Sequence, residues 1–329
     1  MAQEDPTMPV LDPIPADLDA RIERLLRGDG RELDAFLTVV ERDVMVPDTK
    51  ATIHCNVVSL DGNLMPRVKD LARSLALSVV EYAIPRREIE EADAADRKNN
   101  NKRRTTELVI KARQLFTSLD RTGEGGELLL YMFAQSQLKL PQVFCKMALK
   151  TNRQMHVHGI DGIHAGYDAD SGQLALYWGE SKLHKTIASA VTECLDSIKP
   201  YVCGEGGTGA AYERDLQLMR DNIDLADPAL EAAILTFLDR DHPLYNKVQF
   251  RGVCLVGFDE TLYPKVHNEK ELDALVSEAR VALQKWVEMI GGHITKRPPL
   301  ASIHLEVFLL PFPSVEYFRK AFLHEIGHG

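Results

Sequence analysis

The chain has 329 residues, room for one large domain or two ordinary ones, and its 45% hydrophobic and 27% charged residues are the balance of a soluble globular protein. No apolar run reaches the roughly 18 residues of a membrane span. A net charge of −10 excludes a chain that grips long nucleic acid unaided through a broadly basic surface, so any nucleic-acid role needs local basic patches or a partner that delivers the strand.

The N-terminus, MAQEDPTMPVLDPIPADLD, lacks the basic and apolar segments of a secretion signal and reads as an acidic, Pro-rich lead-in. LDARIERLLRGDGRELDAFLTVVERDV then suggests a short helix followed by a mixed segment. KATIHCNVVSL (50–60) is a β-rich run closed by Asp61-Gly62. In PRVKDLARSLALSVVEYAIP (66–85) apolar residues fall at helical spacing, with Pro66 placed where a first helical turn tolerates it. An acidic-then-basic stretch from Arg86 to Arg104 leads into the helical TTELVIKARQLFTSL, and GEGGELLLYMFAQSQL reads as a Gly-rich turn opening an apolar helix.

MHVHGIDGIHAGYDADSGQLALYWGESK reads as extended chain around one tight turn, and HKTIASAVTECLDSI as an amphipathic helix. Two helical segments follow GEGGTG, then a strand in KVQFRGVCLVGFD. EKELDALVSEARVALQKWVEMIGG is a long helix stopped by two glycines. ASIHLEVFLLPF is a last strand and PSVEYFRKAFLHEIGHG a closing helix. The pattern is mixed α/β or α+β, without internal repeats.

Several motifs point away from chemistry. The cysteines Cys55, Cys145, Cys194, Cys203 and Cys254 are odd in number and never spaced C-x-x-C, which argues against a disulfide framework or zinc ribbon and for a cytoplasmic chain. GEGGTG (204–209) fits G-x-G-x-x-G, but the strand before it is too short and the helix after it too charged for a dinucleotide site. No G-x-x-x-x-G-K-[ST] occurs. The basic run RKNNNKRR (97–104) reads as a solvated loop or helix start before it reads as a nucleic-acid patch. HEIGH at the end matches the zincin pattern H-E-x-x-H through His324, Glu325 and His328. Only Gly329 follows in the sequence, Gly327 weakens the turn, and a frayed helix end is the better reading.

The informative segment is 155–182. In LALYWGESK, Leu174, Leu176, Trp178, Glu180 and Lys182 share one strand face, which passes from apolar to charged. Folding the strands back about Asp170–Gly172 sets Asp161 opposite residues 180–182. Two carboxylates and a lysine at a strand end suit divalent-metal phosphodiester hydrolysis, with Asp161 and Glu180 as hard oxygen ligands and Lys182 orienting the attacking water or stabilising developing charge. The same three residues equally suit a strand-end ion pair beside Asp161. His156, His158, His164 and His184 lie nearby and read as packing or surface residues, with only His158 and His164 kept as supports of the site.

From Gly123 to about Ile198 the chain resembles a PD-(D/E)xK nuclease core: helix with Glu, strand with Asp, strand with E-x-K, then helix. The resemblance implies Glu127, in GEGGELLLYMF, as a further metal ligand and catalytic residue beside Asp161, Glu180 and Lys182. Ile160 stands where the motif carries proline. GEGGELLLYMF, GIDGIHAGYD, LYWGESKLHK and FLLPFPSVEYFRKAFL together resemble the HamA family, nuclease subunits of the Hachiman antiphage defence system, from about residue 50 onward. That resemblance implies an Mg²⁺-dependent deoxyribonuclease, with Mn²⁺ as an alternative ion, acting on DNA and restrained by a partner helicase, HamB. It also implies a restriction-endonuclease-like core over 111–200, flanked by α/β regions at 46–110 and 201–329, with 46–329 able to close into one domain. Residues 1–45 remain a loosely ordered acidic lead-in and helix. A non-catalytic nucleic-acid-binding or adaptor subunit with a nuclease-like fold is the alternative, and keeping Asp161, Glu180 and Lys182 together favours the enzyme.

Overall fold

VCLVGF and EVFLLPF carry apolar side chains at nearly every position, the pattern of strands covered on both faces. The computed structural model, which describes residues 14–116, 123–144, 146–150, 159–204 and 211–327, places both at the centre of a seven-stranded sheet. In chain order, helix α1 (Leu18–Glu23) precedes strands β1 (Leu37–Met45) and β2 (Ala51–Val58). Helices α2 (Val68–Leu77), α3 (Val79–Ala83), α4 (Arg86–Asn99), α5 (Arg103–Leu115) and α6 (Glu124–Gln137) follow. Strand β3 (Gln142–Phe144) and a 3-10 turn at Lys146–Leu149 lead to the hairpin of β4 (Gly162–Asp168) and β5 (Gln173–His184). Helices α7 (Ile187–Val202), α8 (Ala211–Asn222) and α9 (Pro228–Phe237) reach β6 (Val248–Asp259). Helices α10 (Leu272–Thr295) and α11 (Pro298–Ala301) reach β7 (Leu305–Phe312), and α12 (Val315–Glu325) follows it.

The strand order is β1-β2-β7-β6-β5-β4-β3. The central pairings β2–β7, β7–β6 and β6–β5 are parallel, and β1–β2, β5–β4 and β4–β3 are antiparallel. Alternation along β5 assigns the two faces. Trp178 packs on Tyr201 of α7 with ring centroids 5.1 Å apart, whereas Gly179 faces Leu130 of α6. The α6 side is closed by Phe133 stacked on Phe308 at 4.6 Å and Phe312 against Phe318 of α12 at 4.9 Å. The C-terminal run FLLPFPSVEYFRKAFL is therefore core, with Phe308, Phe312, Phe318 and Phe322 all buried.

Several elements differ from the sequence reading, each for a local reason. β1 is an edge strand built from the end of the segment read as a lead-in. Pro66 lies ahead of α2, bridged to Leu60, and the expected single helix over 66–85 breaks at Ser78. The charged stretch 86–104 is mostly α4, which ends at Asn100 in the left-handed conformation (φ 49°). Buried Asp96 then accepts the N–H groups of Arg104 and Thr105, each at 2.9 Å, so the basic run turns into α5. Arg103 and Arg104 pair with Glu107, which offsets that patch. Gly291 and Gly292 do not stop α10, which continues to Thr295. At the other end of the chain, Gly327 adopts φ +85° beyond α12, and His328 lies outside the described residues.

The glycines of GEGGE serve contact rather than a turn. Gly125 and Gly126 are inside the first turn of α6, and a Cβ on Gly126 would lie 2.0 Å from a Leu183 methyl. Leu183 is itself buried, and its other methyl packs over the bare backbone of Gly257 in β6. Gly126→Ala is therefore expected to destabilise the fold by about 1–2 kcal/mol, since overpacking outweighs the roughly 1 kcal/mol gain in helix propensity. Chemical denaturation of Gly126→Ala, Leu183→Ala and the double variant checks this. Strict additivity of the two losses would contradict a clash between the two side chains.

Candidate functional site

The hairpin register sets the site. Gly172 takes φ +66° at the turn, and β4 and β5 pair through Gly162↔Gly179. Asp161 lies one pair beyond, opposite Glu180, with its N–H donated to the Gly179 carbonyl at 2.9 Å. Glu180 is 4% exposed and pairs with the Lys182 ammonium, the two side chains standing two residues apart on one strand face. Glu127 sits in the first turn of α6, where close helix–strand approach at Gly126 brings it to the same strand. Tyr82 of α3 donates its hydroxyl to Glu127 at 3.1 Å.

Asp161 is the hub. Its Oδ2 accepts both the backbone N–H of Ser181, at 2.8 Å, and the Ser181 hydroxyl, at 2.9 Å. Asp161 also acts electrostatically on Glu127, Glu180 and Lys182. Burial, and next the Asp161 charge, push the Glu180 carboxyl up to about 7 against the opposing pull of Lys182. Burial and then Asp161 likewise push Glu127 up to about 8, with Lys146 and Lys150 pulling the other way. Burial acts to lower the Lys182 ammonium, but Glu180 and Asp161 outweigh it and hold it above its usual value.

Three residues beyond the sequence motif position Asp161. Lys146 donates to the Ile160 carbonyl at 2.6 Å, and the buried Asp215 of α8 accepts the Ile160 N–H at 3.1 Å. Ser181 holds the carboxylate itself. Ser181 stood in plain view inside E-S-K, on the opposite strand face from its neighbours. Lys146 and Asp215 act on backbone from distant segments, and no spacing rule marks them. His164 packs as a core residue: it is 1% exposed, a ring nitrogen lies 3.0 Å from the Leu140 carbonyl, and burial pushes it down to about 4. His184 pairs with Glu193, while His156 and His158 lie outside the described residues.

The raised carboxyls carry a pH signature. Glu127 and Glu180 bind protons more tightly in the folded state than at the ordinary glutamate value of 4.5. Between about pH 4.5 and about pH 8 these two positions hold more protons in the folded chain than in the unfolded chain, so their contribution to stability falls as pH rises, against an opposite contribution from buried His164 below about pH 6.5. The midpoint of denaturation in EDTA is expected to drop across that window, and to drop less in Glu127→Gln/Glu180→Gln. Parallel profiles for the two proteins would remove these carboxyls as its source.

Chemically, Asp161 together with Glu127 and Glu180, the two carboxyls whose ionisation its charge disfavours, offers hard oxygen donors of the kind that suit a divalent cation such as Mg²⁺. Among the described residues no three His, Cys, Asp or Glu side chains are already gathered to hold a metal ion. Asp161 is engaged with Ser181 and Glu180 with Lys182, so a cation would have to compete for those oxygens. Among the described residues, too, no helix is long and apolar enough to cross a membrane.

The seven-stranded mixed sheet with helices on both faces defines a mixed α/β protein, consistent with a nuclease-like fold. A family model agrees with that class: the HamA model matches residues 34–326, and the chain belongs to the HamA family. Membership makes it an antiphage defence protein of the Hachiman system. No curated protein matches the chain.

Proposed function

We propose that this chain is the nuclease effector of its Hachiman system, a metal-dependent deoxyribonuclease restrained by the helicase HamB. The observation that carries the reading is the meeting of Asp161 with Glu180 and Lys182 across one antiparallel pair, with Glu127 delivered to the same strand by α6. Asp161, Glu180 and Glu127 would hold Mg²⁺, or Mn²⁺ in its place. That ion supplies Lewis acidity toward water and a phosphate oxygen. Lys182 brings a positive charge to the strand end, 26% exposed at its side chain, where it could stabilise charge developing on a phosphate. Ser181, Lys146 and Asp215 keep Asp161 at its register position.

The acidic net charge supports delivery of DNA by a partner. With no P-loop in these 329 residues, ATP dependence would enter through HamB. A non-catalytic adaptor is favoured by one observation, the closed set of bonds that Lys182–Glu180 and Asp161–Ser181 already form.

Plasmid DNA incubated with the protein, alone and with HamB, with or without ATP, in Mg²⁺, Mn²⁺ or EDTA, separates the readings. Metal-dependent nicking that changes with HamB and ATP is the expected result. Binding without cleavage in every combination would make the chain an adaptor. Equal cleavage with and without HamB would end the proposal of control.

A further inference from the structure

One edge of β5 is left open where the candidate site begins. The Gly179 carbonyl accepts the Asp161 N–H at 2.9 Å, and the Ser181 N–H is donated to the Asp161 carboxylate at 2.8 Å. Strand geometry repeats every two residues, so odd-numbered residues here turn their backbone groups toward β4. The pairing of β5 with β6 runs without a shift from Leu174 to His184, which puts the Leu183 carbonyl on that same side. β4 pairs no further than Gly162↔Gly179, so Leu183 lies beyond its end. Half-buried Arg319 of α12 occupies this edge, where its guanidinium donates to the Leu183 carbonyl at 2.6 Å. That bond lies two residues, or about 7 Å, along the strand from the one between Ser181 and Asp161.

Arg319 has more donors than Leu183 takes. A guanidinium is a planar fork of several N–H groups. The Nε of Arg319 is buried without a hydrogen-bond partner among the described residues, and no carboxylate among them pairs with the side chain. The nearby acids are engaged elsewhere. On α12 itself Glu316 pairs with Lys320 and Glu325 with His324, and on α2, packed against α12, Asp70 pairs with Arg67. In the candidate site Asp161 holds Ser181, Glu180 pairs with Lys182, Glu124 pairs with Lys150, and Glu127 accepts from Tyr82. Arg319 is thus a cation at the edge of the site that none of these acids neutralises.

We propose that Arg319 clamps a phosphate of the DNA strand at the candidate site, one arm of its guanidinium fixed on the Leu183 carbonyl and its remaining donors turned to a phosphate oxygen. A guanidinium matches phosphate geometry, and the backbone anchor holds its plane before the ligand arrives. Each strand of duplex DNA brings one phosphate per about 3.4 Å of axis, so a strand that reaches Asp161 also passes Arg319. The role rests on the nuclease reading and deepens it, by supplying a group that holds the strand without holding metal.

Binding of a DNA oligonucleotide in EDTA over a range of salt keeps cleavage out of the test, read for the chain alone and for its complex with HamB. Arg319→Gln is expected to weaken binding about tenfold and to lower the salt slope of log Kd by about one, which a purely structural role would not do. Arg319→Lys keeps the charge and a donor for Leu183, so it should hold the slope and the Tm of the wild type and recover only part of the affinity. Melts without DNA show that each variant is folded. Equal affinity and slope in the wild type and both variants would overturn the clamp, as would no DNA binding by the wild type in either preparation. Loss of HamB binding in Arg319→Gln, with DNA affinity of the chain alone unchanged, would also overturn it and make an acidic side chain of HamB the ligand. Plasmid nicking in Mg²⁺ separates the two readings. Cleavage together with an unaffected Arg319→Gln would remove the clamp alone. The expected binding loss in a chain that never cuts would keep the phosphate contact and remove the nuclease.

Discussion

Asp161→Asn and Glu180→Ala are each expected to cut the rate of DNA cleavage by about a thousandfold or more while the chain stays folded. A catalytic divalent ion contributes several kcal/mol to the transition state, at 1.36 kcal/mol per tenfold, and each variant removes one anionic donor. The folded state tolerates the two changes for different reasons. Glu180 is buried with its ionised form disfavoured, and its partner Lys182 keeps access to water. Asp161 holds Ser181 through two hydrogen bonds, so alanine there would strand a backbone donor at a cost of about 1–3 kcal/mol. Asparagine keeps an acceptor for Ser181 and loses only the charge, which makes it the cleaner variant. Thermal melts beside plasmid nicking in Mg²⁺ separate the two effects. An Asp161→Asn protein that nicks at the parental rate would strike Asp161 from the ligand set. Glu127→Gln, which keeps the bond from Tyr82, is expected to lose less.

The parts of the site that a sequence can show are those fixed by short-range geometry. A strand repeats every two residues and a tight turn leaves little choice of register, so Asp161 opposite residues 180–182 followed from the turn at Asp170–Gly172, and the observed pairing then selects Glu180. Apolar runs likewise marked β2, β6 and β7, and helical spacing marked α6, α7, α10 and α12. Glycine misled in both directions. At 125–126 it permits contact with α12 and β5, and at 291 it permits approach to Val46, so neither pair marks a chain reversal. The α4 helix was hidden by a charged sequence whose register is held from outside, by Asp96 at its end and Lys111 bonded to Glu88 across to α5. Lys146 and Asp215 were beyond reach for a related reason. Their bonds go to the backbone of Ile160, a target with no side-chain signature, from positions 14 and 55 residues away.

Lys182 is where a structural ion pair and a catalytic cation predict different pH behaviour. Its ammonium neutralises Glu180, so Lys182→Gln should raise the proton affinity of that carboxyl further above about 7. Were neutralisation its whole role, raising the pH would ionise Glu180 and restore cleavage. A lysine that also stabilises charge on the phosphate leaves a deficit at every pH, of about 10²–10³-fold by the measure of comparable hydrogen-bond donors. Lys182→Arg sharpens the distinction. Arginine keeps the positive charge but spreads it over a planar fork too bulky for the space of an ammonium, so it should pair with Glu180 and still cut poorly. Single-turnover rates of the wild type, Lys182→Gln and Lys182→Arg, measured in saturating Mg²⁺ from about pH 6 to about pH 10, read this directly. The expected result is a pH-independent loss in both variants, added to an alkaline shift in Lys182→Gln alone. Full recovery of Lys182→Gln at high pH would confine Lys182 to the ion pair, and an unchanged rate throughout would remove it from the reaction.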